Sequence, residues 1–235
     1  MSRPTPLRSV RNFLLMALLV SLCSVLFAPP AKAYDEDQQV WLSLQGQGSF
    51  VDDAQYGFYL EAAARASNEQ QAIYEKYFRP AITYKTQLGT YFLGTMVRYD
   101  AADSQVERRH WIQWSNRWTL DAFNLGVRFR QEHRELRGVS IPIYRTRIQI
   151  RVHSASIKLS ETVFPFVSQE FFFNINDSMP IVEAGLVQVR TMIGLNVRLA
   201  ERFQGDFGYL GVISNQTRRD DQFLHVLNIA LQYAF

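Results

Sequence analysis

The chain has 235 residues, of which 47% are hydrophobic and 20% charged, with a formal net charge of +3 and a single cysteine. One cysteine excludes an intrachain disulfide. Beyond the first thirty residues no apolar run approaches the ~20 residues of a membrane-spanning helix, which excludes a multi-helix membrane protein.

At the N-terminus, Arg3, Arg8 and Arg11 precede an uncharged apolar run from Phe13 to Phe27. Pro29 and Pro30 break the run, and Ala31-Lys32-Ala33 places small residues where a signal peptidase reads them. The pattern predicts a secretory signal peptide, residues 1–33, cleaved after Ala33, followed by one domain over 34–235. An uncleaved anchor fits less well, because the run falls short of a span. Lipidation at Cys23 also fits less well, because Leu22 stands where a small residue is wanted. Four of the 25 basic residues (Arg3, Arg8, Arg11 and Lys32) and none of the 22 acids lie in 1–33, so the remainder carries 21 basic residues and a net charge of −1. No surplus argues for nucleic-acid binding. Cys23 leaves with the leader, and no metal-ligand cluster, phosphate loop or dinucleotide fingerprint appears, so no metal or cofactor is expected.

Along the rest of the chain, period-two alternation recurs, the mark of β-strands with two unlike faces. In 40–47, Ser43, Gln45 and Gln47 oppose Val40, Leu42 and Leu44. Segment 56–66 is a weaker candidate; in 82–88, Thr83, Lys85 and Gln87 oppose Ile82, Tyr84 and Leu88. Segments 90–99 and 106–118 are again weaker. In 125–130, Arg128 and Arg130 oppose Leu125, Val127 and Phe129. The clearest strand is 144–153, with Arg145, Arg147, Gln149, Arg151 and His153 on one face and Thr146, Ile148, Ile150 and Val152 on the other. Segment 162–174 follows, then 188–199, where Gln188, Arg190, Asn196 and Arg198 oppose Val189, Ile193, Leu195 and Val197. After 203–214 comes 223–235, where Leu227, Ile229, Leu231, Tyr233 and the final Phe235 share one face.

These are eleven candidates, most of them 8–13 residues long, against the ~9–11 that a tilted membrane strand needs. The reading is an all-β fold, a transmembrane antiparallel up-and-down β-barrel in a bacterial outer membrane. Such single-chain barrels have even strand numbers because both chain ends lie in the periplasm. Twelve strands are therefore expected, with one more in 67–77 or 175–187, and ten otherwise. Trp111, Trp114, Trp118, Tyr91, Tyr99, Tyr209 and Tyr233 are expected in the interfacial aromatic girdles. Ile229, Leu231, Tyr233 and Phe235 form the outward signal that barrel-assembly machinery reads. The expected partners are that machinery, outer-membrane lipid and lipopolysaccharide. A soluble sandwich or lipocalin-like barrel also alternates, with its apolar face turned inward. The terminal aromatic strand and the abundance of Arg over Lys on the polar faces favour the membrane form.

In the barrel, Arg128, Arg130, Arg145, Arg147, Arg151, Arg190 and Arg198 form a lumen basic ladder, with Arg65, Lys85 and Arg98 beside it. Glu61, Glu132, Glu170 and Asp206 are the acids expected to face them. Two functions follow. Basic side chains lining a narrow bore make a pore for small anionic solutes. Arg–Glu pairs filling the bore make a non-conducting structural or interaction barrel. A basic wall from Arg128 to Arg137 and from Arg145 to Arg151 could also bind lipopolysaccharide phosphate or a small anion near the outer rim. A lipid-modifying enzyme would need a His and a Ser or Asp converging at that rim. His110, His133, His153 and His225 show no such grouping, and no catalytic residue is assigned.

With these motifs in view, the chain resembles the uncharacterised Gram-negative outer-membrane proteins known only as a domain of unknown function. The likeness is carried by Val40-Trp41-Leu42, Glu132-His133-Arg134, Tyr144-Arg145-Thr146-Arg147, Glu170-Phe171-Phe172 and the Gly-rich aromatic stretch from Gly205 to Gly211, over about 36–235. The arginine expected between 175 and 187 is missing, and Arg190 stands nearest. The resemblance implies the barrel and its location, and no activity.

Overall fold

The computed structural model describes residues 34–52, 54–70, 72–120, 123–154, 159–177, 183–215 and 221–235. The expected leader lies outside the described residues. The strands are β1 (Tyr34–Ser49), β2 (Tyr56–Ser67), β3 (Ala72–Thr86), β4 (Gly89–Asp100), β5 (Gln105–Thr119), β6 (Phe123–Leu136), β7 (Ile143–Ser154), β8 (Val163–Asn174), β9 (Gly185–Ala200), β10 (Phe203–Ser214) and β11 (Asp221–Ala234). They form one closed barrel in which sequence neighbours pair antiparallel and β1 closes on β11.

The eleven alternating segments of the sequence correspond one to one to these eleven strands. The expected twelfth, and the fallback of ten, are corrected to eleven. The parity rule assumes that first and last strands run oppositely. Here β1 and β11 run parallel, from Tyr34 opposite Asp221 to Gln47 opposite Ala234. A parallel ladder saturates the edge hydrogen bonds as an antiparallel one does, so an odd barrel closes without an unpaired edge. The barrel is therefore antiparallel at every seam but one, and the chain enters the wall at one end and leaves it at the other. Below, the end carrying Phe235 is the lower end.

Phe235 finishes the seam. Its backbone N–H donates to Gln47 O at 2.9 Å, its ring lies over Gly46 of β1 and 5.5 Å from the ring of Phe58, and its Cβ lies against Gly48. A Cβ on Gly48 would sit 2.9 Å from the Phe235 Cβ and 3.1 Å from the Phe58 ring. The contact involves the base of a side chain anchored by its own backbone, so it cannot swing aside cheaply. Gly48→Val is expected to cost about 1–3 kcal/mol, as overpacking does. The measure is a lower midpoint of thermal unfolding followed by far-ultraviolet circular dichroism.

Strand faces follow the alternation. Leu42, Leu44, Leu93, Ile112, Ile193 and Leu227 all point outward and are exposed. Register shifts at Arg65/Ala66, Arg98/Tyr99, Phe172/Phe173 and Phe203/Gln204 lie toward strand ends, where bulges bend a wall without breaking its centre. Pro80 sits inside β3, and the β3–β4 pairing is interrupted at Arg79 and Pro80, as a residue without an N–H requires.

The interior departs from a simple polar-in rule. Strands β2 to β7 turn charges inward. Opposite them, Trp41, Phe166, Met192, Leu210, Val212, Leu224 and Val226 form a buried apolar cluster inside the barrel. Trp111 is a further correction: it is buried within the barrel and not in an outer girdle. It lies three residues from outward Trp114, and strand parity forbids both from sharing a face.

Candidate functional site

The site is the lumen. Strand parity places Arg128 and Arg130 of β6 and Arg145, Arg147 and Arg151 of β7 on inward positions, and Arg190 and Arg198 of β9 likewise. The carboxylates interleave with them. Glu61 accepts from Arg79 Nη1 at 2.6 Å, from the Tyr59 hydroxyl at 2.7 Å and from the Tyr77 hydroxyl at 2.9 Å. Glu75 bridges Arg65 and Arg98, each at 2.7 Å. Glu107 takes Arg98 Nε at 2.9 Å, Arg109 Nη2 at 2.8 Å and Arg134 Nε at 2.6 Å. Glu132 takes Arg145 Nε and Arg147 Nη1, both at 2.9 Å, with Arg130 Nη1 at 3.7 Å and Arg109 Nη1 at 3.8 Å. Glu170 takes Arg128 Nη2 at 2.8 Å and Arg147 Nε at 3.0 Å.

Three arginines are shared. Arg98 joins Glu75 to Glu107, Arg109 joins Glu107 to Glu132, and Arg147 joins Glu132 to Glu170. The result is a continuous lattice from β2 round to β8. All five glutamates are buried, Glu107 and Glu132 at 1% exposure. The guanidinium fork suits this sharing because it offers five donors in one plane.

Arginines that outnumber these carboxylates are met by neutral acceptors and aromatic faces. Arg130, 2% exposed, donates Nε to Gln113 Oε1 at 2.8 Å and lies 4.3 Å from the Trp111 ring centre. Arg190 donates Nε to Gln188 Oε1 at 3.1 Å and lies between Trp41, at 4.8 Å, and Phe172, at 4.5 Å. Arg65 covers the other side of the gap, 3.8 Å above Trp41. The apolar half of the interior is thus the platform on which arginines from the charged half rest. Through Trp41 it links Arg65 of β2 to Arg190 of β9.

Lower in the bore, Arg151 spans from β7 to β10 and binds Asp206 through two bonds, Nη1 to Oδ2 at 2.6 Å and Nη2 to Oδ1 at 2.8 Å. Asn196 and Gln232 donate to the same carboxylate at 2.7 and 3.2 Å. Arg151 also donates Nε to His153 Nε2 at 2.7 Å and lies 3.6 Å from the Phe166 ring centre. This pair divides the interior into two cavities of about 460 and 450 Å3, both of which it lines.

Sequence reasoning missed Glu75, Glu107, Arg79 and Arg109. A signal existed for Glu107 and Arg109, which share a parity that also includes Gln113. Outward Arg108 and His110 and inward Trp111 mask it. On the outer wall Leu231 and Ile229 are partly exposed, and Tyr233 and Phe235 more so. Among the described residues no group of His, Cys, Asp and Glu is arranged to hold a metal ion.

Fold and site together define a closed, mostly antiparallel β-barrel with an ion-paired lumen. The chain belongs to the family described as "Protein of unknown function (DUF2490)", whose model matches residues 38–223. A search of curated proteins finds no match.

Proposed function

We propose that this protein is an outer-membrane β-barrel whose lumen is sealed by the arginine–carboxylate lattice, making it a non-conducting structural or interaction barrel. The carrying observation is that each of the five buried glutamates is bonded by arginine, and three arginines are shared between two of them. Carboxylates and guanidiniums bonded to one another across the bore have little charge left over to solvate passing ions.

Membrane insertion is supported by the outer wall. Leu42, Leu93, Ile112, Ile193 and Leu227 are 48–65% exposed, a girth of apolar surface that a water-soluble monomer rarely presents. Strands of 12–16 residues exceed the membrane requirement. With the lower end in the periplasm, β11 presents Ile229, Leu231, Tyr233 and Phe235 as the strand for assembly machinery to read, and outer-membrane lipid and lipopolysaccharide surround the wall.

The test is a planar-bilayer recording of the refolded protein. The proposal expects inserted protein with no steady unitary current. Regular anion-selective steps that shrink on Arg147→Gln would instead establish the narrow pore. That second reading draws on one observation, the two interior cavities meeting at Arg151 and Asp206.

A further inference from the structure

The lower cavity differs in kind from the lattice above it. Among the described residues it is lined by three arginines, Arg117 of β5, Arg151 of β7 and Arg198 of β9, and by one carboxylate, Asp206. That carboxylate is already filled by both terminal nitrogens of Arg151 and by two amides. Arg117 and Arg198 have, among the described residues, no carboxylate within 4 Å and no side-chain hydrogen-bond acceptor. Both are exposed at the lower mouth, whereas the surplus arginines higher in the bore, Arg130 and Arg190, are turned away from solvent and each supplied with a glutamine oxygen. Arg198 has only the ring of Phe164 beneath it, at 5.9 Å. Thr119 and Asn124 add polar groups to the same wall.

We infer that this vestibule is a binding site for a small, multiply charged oxyanion bearing phosphate or carboxylate groups, held by Arg117 and Arg198. Three guanidiniums against one carboxylate give the described lining of the cavity net positive charge. Concave walls of low polarisability focus that field onto whatever enters. Guanidinium forks match phosphate and carboxylate oxygens two at a time. Arg151, tied back by Asp206, adds charge to the floor of the cavity without a free fork. A volume of about 450 Å3 lies in the range of small-ligand sites. The site lies below the Arg151–Asp206 pair, at the lower mouth, so its test does not depend on whether the lattice above conducts.

The experiment is isothermal titration of the refolded protein in zwitterionic micelles at low chloride, with inorganic phosphate and citrate as separate probes. Saturable binding of at least one is expected. Arg117→Gln and Arg198→Gln should each weaken it about tenfold, the worth of one charge-assisted contact, while Lys76→Gln in an exposed pair leaves it unchanged. Binding of phosphate but not citrate, or the reverse, assigns the ligand class within the proposal. Absence of binding by both probes, or affinity indifferent to both arginine substitutions, overturns it. If the glutamine variants do not refold, Arg117→Lys and Arg198→Lys keep the charge and remove the fork. They are expected to fold and still bind more weakly, and unaltered affinity in them overturns the site.

Discussion

Glu132→Gln is expected to destabilise the folded barrel by about 3–5 kcal/mol, the cost of leaving a buried ion without its partner. Glu132 is the hub of the lattice. Arg147 retains Glu170 when the charge is removed, but Arg145 has no other carboxylate within 4 Å among the described residues. Arg145 is itself buried, so its charge would be stranded away from water. Urea unfolding of vesicle-inserted protein, followed by tryptophan fluorescence, reads the loss as a lower midpoint. Two comparisons separate this mechanism from general fragility. Asp103→Asn, in the exposed pair with Lys76, should stay within about 1 kcal/mol of the parent. Glu132→Gln combined with Arg145→Met removes both the acid and the cation it strands, and should recover part of the deficit, because neutral pairs can replace buried ionic ones. A single variant as stable as the parent would mean that the lattice is wet enough to screen its own charges.

The second large effect is expected at Gly94. This glycine of β4 faces inward beneath the flat of Trp111, and a Cβ there would lie 2.5 Å from the Trp111 ring and 2.7 Å from the Pro80 carbonyl oxygen. Neither neighbour retreats freely. Pro80 O belongs to the wall at the point where the β3–β4 pairing is already interrupted, and Trp111 is buried, donating Nε1 to Thr95 O at 3.2 Å. Gly94→Ala is therefore expected to cost about 1–3 kcal/mol and to turn the indole from under Arg130. A changed near-ultraviolet circular dichroism spectrum with unchanged far-ultraviolet signal would report that rotation. Gly126→Ala is the control. Its added Cβ would meet nothing nearer than 3.7 Å, and stability should move by no more than about 0.5 kcal/mol.

Much of this architecture is legible in the sequence, because a barrel strand exposes its two environments residue by residue. Alternation located all eleven strands and placed the arginines of β6, β7 and β9 on one face. It failed where the interior itself is not polar. Leu224 and Val226 of β11 and Leu210 and Val212 of β10 face inward as apolar residues, so hydropathy there does not distinguish in from out. It failed again in β5, where Trp111 lies inside and Arg108 and His110 lie outside. Tryptophan belongs in that lumen because a guanidinium can rest on it, a pairing between strands that no single segment displays. Strand number was lost for a different reason. Whether β1 joins β11 parallel or antiparallel is decided by closure of the whole sheet, and the glycines of β1 that receive Phe235 lie nearly two hundred residues from it in sequence. The lattice as a network was also hidden, since sharing Arg98, Arg109 and Arg147 depends on inter-strand register.

Spin labels at single introduced cysteines report whether the apolar face meets lipid and the charged face closes the bore. Residues 34–235 contain no cysteine, so each label reports one site. Labels at Leu42, Leu93, Ile112, Ile193 and Leu227 in vesicle-inserted protein are expected to be relaxed strongly by oxygen and weakly by a polar nickel chelate. Labels at Ser43, Gln149 and Ser168, inward positions lining the upper cavity, should respond little to oxygen. Labels on the outward set that respond mainly to the polar reagent would mean that a wall of exposed leucine and isoleucine faces water, and the barrel does not sit in lipid as proposed.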